Sequence, residues 1–361
     1  MNAPVTAVPE TLPPLASRTA GSYLDFVEGF REYILGSGAD FERRLNQAAE
    51  AEEVRRGAKF GELAEIRTFL ESLPLTHLRN RLTRSQQEMK WTKLSATYQA
   101  QREQLLAELD AWDERGPARL ELDPKFVHPP YTNVHFHLQP GGYFKDELGG
   151  FLYHHGTKVF FRGENDKDEL HAKLVSLVPP PADGNVARVL DLACSIGQST
   201  TAFKMRFPKA EVIGIDHSVA MLRAAHRRAS MLGSEVTFAQ RLVEDTRMPD
   251  DHFDLVFAFI VFHELPQRIV RDTVAEALRV LRPGGVFAIY DFNGVQDQSP
   301  YQRYHRYFDA RHNGEPYSQD FCDCDLAAIL RHAGFSVLKA AALPDRAGGP
   351  GYMKHWYAVK G

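Results

Sequence analysis

The chain has 361 residues, of which 43% are apolar and 25% charged, with a formal net charge of −4; that is enough to bury one full α/β domain plus a smaller accessory region. The acidic balance argues against a nucleic-acid partner, whose phosphates favour a basic face, and no stretch approaches the ~18 uninterrupted apolar residues of a membrane span. Cys194, Cys322 and Cys324 are the three cysteines; they offer no disulfide framework and fit a reducing, cytoplasmic compartment.

Residues 1–20 are proline-rich, without a basic leader or an apolar run, and read as a disordered tail rather than a secretory signal. Residues 21–115 are polar with helical spacing, as in Phe60, Leu63, Ile66, Phe69 and Leu70, and predict a helical accessory region that seats a lid or forms a homodimer contact. After Gly116-Pro117 the composition changes. Residues 116–165 hold His128, His135, His137, Tyr143, Tyr153, His154 and His155 with no helical period, which predicts an irregular lid or substrate segment. Leu170, Leu174 and Leu177 then mark a helix stopped by Pro179-Pro180-Pro181. From 166 to 361 strands and helices alternate. Strands are expected to end at Asp191 and Asp216 and to cover 236–239, 253–258, 286–290, 336–341 and 352–360. Ser218 caps a helix ending at Leu232-Gly233, and 269–281 and 326–332 are helical.

The densest signal is RVLDLACSIGQSTTAFKMRFPKAEVIGID, from Arg188 to Asp216. An apolar strand runs into a small-residue turn, a helix and a second apolar strand closed by an acid. The turn from Ala193 to Gly197 lets backbone approach a ligand across the ends of parallel strands, and the closing acid is placed to accept from a ribose diol. A nicotinamide-binding βαβ unit uses the same logic, so this stretch alone marks a nucleotide-type cofactor without choosing it.

Together VLDLACSIG, VIGIDHSVAML, MPDDHFDLVFAF, RVLRPGG, and AGFSV followed by KHWYAVK resemble the class I S-adenosylmethionine (SAM) dependent methyltransferases over roughly residues 170–361. Within them the chain is similar to the group related to ubiquinone and menaquinone methyltransferases; HLQPGGY, YHHG, FHELP and NGEPYSQDF resemble a narrower bacterial set. The resemblance implies an α/β fold with a Rossmann-like seven-stranded sheet, SAM as cofactor, and methyl transfer to a small-molecule acceptor, O- or S-methylation being favoured over C- or N-. It also implies cofactor roles: Asp191 supports the turn, Ala193, Ser195 and Gly197 wrap the methionine half, Asp216 holds the ribose hydroxyls with His217 also on the cofactor, Glu244 or Asp245 substitutes at the adenine where Val243 offers its backbone, and Phe259 packs on the methionine portion. Ala193 and Ser195 stand where the family usually has glycine. Leu242 stands where an aspartate often binds the adenine amino group.

Methyl transfer needs a base only when the acceptor carries a proton. His155 is the first candidate, because Gly156 allows a bend that aims it inward; His154, His263 and Glu264 follow. His137, Tyr143, Tyr153, Tyr301 and Tyr304 are expected as substrate walls. The spacing of His135, His137, His154 and His155 matches no compact metal-ligand pattern, so no metal is expected and a proton-moving lid is preferred. Cys322-Asp323-Cys324 reads as a helix start. The alternatives are a SAM-binding interaction module without turnover and a nicotinamide-dependent oxidoreductase.

Overall fold

The computed structural model describes residues 9–15, 17–36, 39–161, 165–292, 294–295, 298–344 and 350–361. Five helices lead the chain: α1 (Arg18–Leu35), α2 (Phe41–Arg56), α3 (Leu63–Glu71), α4 (Pro74–Gln99) and α5 (Arg102–Asp113). After β1 (Arg119–Glu121) come α6 (Gly149–Phe161) and α7 (Glu169–Leu177). The alternating part follows as β2 (Arg188–Leu192), α8 (Gln198–Arg206), β3 (Glu211–Asp216), α9 (Val219–Met231), β4 (Thr237–Gln240), β5 (Phe253–Phe259), α10 (Gln267–Val280) and β6 (Leu281–Phe292). The chain closes with α11 (Pro300–Arg306), α12 (Phe308–His312), α13 (Ser318–Asp323), α14 (Leu326–Ala333), β7 (Phe335–Pro344) and β8 (Pro350–Lys360).

Strand side chains alternate between two buried faces, which is why each central strand reads as nearly continuous apolar sequence. Leu190, Ile213, Ile215 and Val256 face Val270 and Val274 of α10 and Leu330 of α14. Val189, Val212, Leu255 and Phe257 face Val175 of α7, Phe203 of α8 and Leu222 of α9. The strand order is β1-β4-β3-β2-β5-β6-β8-β7, parallel except for β8, which runs antiparallel to β6 and β7. The order reverses beside β2, so a crevice opens at the carboxyl ends of β2, β3 and β5. Ser218 caps α9 by accepting from Met221 N, and Asp325 caps α14. The Cys-Asp-Cys run is therefore a helix end and not the expected helix start: Cys322 and Asp323 close α13, Cys324 is its C-cap, and α14 begins only after Asp325.

Three further expectations are corrected. The seven expected strands are present, and β1 adds an eighth at the edge; its Arg119 N donates to Val236 O at 2.9 Å. Residues 9–15 are not a loose tail, because Leu12 and Leu15 pack against Leu24, Trp91 and Leu94 and the Thr11 carbonyl accepts from Arg227; residues 1–8 lie outside the described residues. The 116–165 segment is not irregular throughout. Its helix α6 hides its period by burying several faces at once. Cβ atoms at Gly150 and Gly156 would each meet a neighbour at 2.5 Å, Ala224 Cβ and Trp91 Cη2 respectively. Gly156 is thus a close-approach position inside a helix, not a bend.

The N-terminal helices seat on the chain's own α9. Arg223 pairs with Asp110 and Asp113, each at 2.6 Å, and Arg227 with Glu108 at 2.6 Å. Among the described residues no helix is long and apolar enough to cross a membrane.

Candidate active site

The turn after β2 is built on strained backbone. Ala193 and Ser195 have φ of 51° and 50°, and Gly197 has φ of 75°. That is the left-handed region glycine tolerates and other residues enter at a cost of ~1–2 kcal/mol. The two departures from glycine seen in the sequence therefore keep the turn's shape under strain. Ala193→Gly should stabilise the fold by up to about 1 kcal/mol in urea titration, the relief of strain being offset in part by glycine's chain entropy. Gly197→Ala should do the reverse, since a Cβ there meets Phe238 Cζ at 2.6 Å. A stabilising Gly197→Ala would refute this account of the turn.

Acids hold the turn from below and from the side. Asp191, fully buried at the end of β2, accepts from Thr200 Oγ1 at 2.6 Å. Asp216 Oδ2 accepts from Ser195 N at 3.0 Å and Oδ1 from Ser218 N at 2.9 Å. Each Asp216 oxygen still has capacity to accept once more, and Asp216, Ala193 and Ser195 all line one cavity. His217, Leu242, Val243 and Phe259 continue its wall. So does Ile260, whose φ of 43° is an outlier for a β-branched residue and marks a position held by its surroundings. Glu244 stands just outside, accepting from Tyr131 Oη at 2.6 Å. Gly197 begins α8 and touches the cavity only through the turn.

Burial raises Asp216 to about 6, backbone N–H groups from Ser218 and Ser195 working against it; burial likewise raises Asp191 to about 7. His217 is pushed down to about 4 by burial and stays neutral. An acid whose folded value lies above the unfolded ~3.9 binds its proton more tightly in the fold, so it costs stability as pH rises through this window. A hydroxyl-donating ligand favours the ionised form. Affinity for a ribose-containing cofactor should therefore fall as pH drops below about 6, by up to ~tenfold per unit. Calorimetry across pH 5–8 reads this, and a pH-independent affinity would remove Asp216 from that role.

The opposite wall carries the polar cluster. The short 3₁₀ turn Phe262–Glu264 follows β5, and the buried Asp291 of β6 fixes it, accepting from Phe262 N and pairing with His263 Nδ1, both at 2.8 Å. Glu264 Oε1 accepts from Tyr143 Oη at 2.8 Å and lies 3.3 Å from His137 Nε2. His137 Nδ1 lies 2.8 Å from Glu315 Oε1. Burial opposes charge on both imidazoles, yet the surrounding carboxylates win: Glu315 and Glu264 raise His137 to about 10, and Asp291, Glu315 and Glu264 raise His263 to about 9. Tyr153 stands edge-on to Tyr143, ring centroids 5.6 Å apart. Thus His137, Tyr143, Tyr153, His263 and Glu264 share the cavity of Ala193, Ser195 and Asp216.

His155 and His154 do not line it. His155 Nδ1 lies 3.1 Å from Tyr98 Oη on the side of α6 that meets α4, and burial pushes its titration down to about 4. His154 is buried near Arg228, and burial lowers it well below the usual histidine range. Tyr301 lines a separate cleft of about 1360 Å³ between the N-terminal helices and α11–α13. Tyr304 is packed among Leu45, Phe60, Ile66 and Leu70. The residues not anticipated are Asp291 and Glu315. Both left a signal: a lone acid in an apolar strand, and the one acid of NGEPYSQDF closest to its asparagine.

Residues 189–285 match the family model described as methyltransferase domain. An uncharacterized methyltransferase of Synechocystis is 29% identical over 42% of this chain and 68% of its own length. Trans-aconitate 2-methyltransferase of Variovorax paradoxus is 31% identical over 36% of this chain and 47% of its own length, so the match spans about half of that relative. Among solved structures, Haemonchus contortus phosphoethanolamine N-methyltransferase 2 in complex with SAM aligns with a TM-score of 0.48 at 16% identity, covering 66% of this chain and 61% of that one.

Proposed function

We propose that the protein transfers the methyl group of SAM to a small-molecule acceptor, with Asp216 and His217 on the ribose side, Ala193 and Ser195 along the methionine half, and Val243 near the adenine. The observation that carries this reading is one cavity with two unlike walls: a backbone turn with a strand-end acid on one side, and His137, Tyr143, Tyr153, His263 and Glu264 on the other. An in-line displacement on a methyl sulfonium needs mainly alignment in a site closed to water. The aromatic walls supply exclusion and the polar cluster supplies proton handling.

The acceptor side favours a protic oxygen or sulfur nucleophile, since a cluster of imidazoles and carboxylates is suited to receive its proton. His263 with Glu264 takes the role expected of His155. The cleft lined by Tyr301 shares Phe160 and Phe292 with the cavity, which supports entry of the acceptor from that side. Incubation with methyl-labelled SAM and fractionated metabolites tests the reading. Label in a low-molecular-weight product is expected. SAM binding with no label transferred to any fraction would favour an interaction module.

A further inference from the structure

Four ligand-type side chains converge at the acceptor wall from separate parts of the chain. His263 Nε2 lies 3.9 Å from both Glu264 Oε1 and Glu315 Oε2, and His137 Nε2 lies 3.3 Å from Glu264 Oε1. Donor atoms of His137, His263 and Glu264 all fall within 4.8 Å of one another. Ligand atoms around a tetrahedral ion bound at ~2.0–2.1 Å stand roughly 3.3–3.4 Å apart. These three side chains are therefore within a small contraction of a coordination shell, and Glu315 Oε2, outside that group, is 3.9 Å from His263 Nε2.

Two of the inward atoms have no hydrogen-bond partner. His263 Nε2 and Glu315 Oε2 are buried and unsatisfied, on residues each 1% exposed. Buried polar atoms are ordinarily hydrogen-bonded, and this nitrogen and carboxylate oxygen, 3.9 Å apart, face each other across a gap that an ion bound to both would fill. The outer contacts are those a metal site needs. Asp291 takes His263 Nδ1 at 2.8 Å, and Glu315 Oε1 takes His137 Nδ1 at 2.8 Å, which leaves both Nε2 lone pairs turned inward. Asn313 donates to Glu315 Oε1 at 3.0 Å and Tyr143 to Glu264 Oε1 at 2.8 Å.

We propose that His137 Nε2, His263 Nε2, Glu264 and Glu315 bind a divalent transition-metal ion at the acceptor wall. Two imidazoles with two carboxylates suit zinc, manganese, iron(II) or cobalt; calcium and magnesium prefer oxygen alone. The ion takes the place of the protons these imidazoles otherwise hold, so binding releases protons. Because three of the ligands line the cavity, a heteroatom of the acceptor can approach the ion and be made more acidic by it. That last consequence rests on the methyltransferase reading; metal binding itself does not.

The test uses the full chain, stripped with a chelator and titrated separately with Zn(II), Mn(II) and Co(II) by calorimetry, with melting temperature and the visible spectrum of the Co(II) form recorded. One ion per chain, a raised melting temperature and intense Co(II) bands are expected. Glu315→Gln, which keeps the side chain's shape, and His263→Ala should each weaken binding at least ~tenfold. His332→Ala, exposed on α14, should leave it unchanged. Far-UV circular dichroism confirms that each variant folds. Absence of binding by all three ions, or affinity unchanged in folded Glu315→Gln, overturns the site. SAM titration of the stripped protein is independent, so a failed metal site and a failed cofactor site give different results.

Discussion

Glu264→Gln is expected to lower turnover by about 10² to 10⁴, the usual contribution of a proton-handling group, while SAM affinity stays within about twofold. The side chain keeps its size but loses the charge that faces His137 and accepts from Tyr143, and it stands on the acceptor wall of the cavity. His155→Ala, by contrast, should leave turnover within about twofold, because His155 contacts Tyr98 and not the cavity. In the metal-free chain, with His263 raised to about 9 and His137 to about 10, an imidazole base of this cluster is mostly protonated at neutrality. Its reactive fraction grows with pH, so turnover should rise up to about pH 9 and not level off near pH 7. Steady-state kinetics across pH 6–10 decides it. A His155→Ala enzyme that loses activity while Glu264→Gln keeps it would reverse the assignment.

Asp216→Ala should weaken SAM about tenfold to a hundredfold. Losing a buried charged acceptor to two hydroxyls costs roughly 1.5–3 kcal/mol. The same substitution frees Ser195 N and Ser218 N, so the melting temperature must be recorded alongside. A folded Asp216→Ala protein that binds SAM as tightly as the parent would place the ribose elsewhere.

The turn-and-acid wall of the cavity, proposed to hold the cofactor, was legible in the sequence because it is local. Asp191, Ala193, Ser195, Gly197 and Asp216 lie within one βαβ unit whose apolar strands and small-residue turn announce their geometry. The strain at Ala193 and Ser195 follows from the absence of glycine. The opposite wall, proposed to meet the acceptor, was only partly legible because it is assembled over long range. His137, Glu264, Asp291 and Glu315 come from four separate stretches and meet only once β5, β6 and the segment before α13 are in place. Density of histidine drew attention to His154 and His155, yet the helix carrying them turns both away from the cavity. Their spacing alone could not reveal that, since α6 buries several faces and masks its own period. The extra strand β1 is three residues long with no apolar run to signal it, and it exists through its pairing with β4.

Calorimetric titration of the full chain with SAM, S-adenosylhomocysteine and NAD most directly tests whether this cavity is a methyl-donor site. One SAM and one S-adenosylhomocysteine should bind per chain, each raising the melting temperature by mass action, and NAD should give no heat. Heat with NAD and none with SAM at high protein concentration would contradict the account.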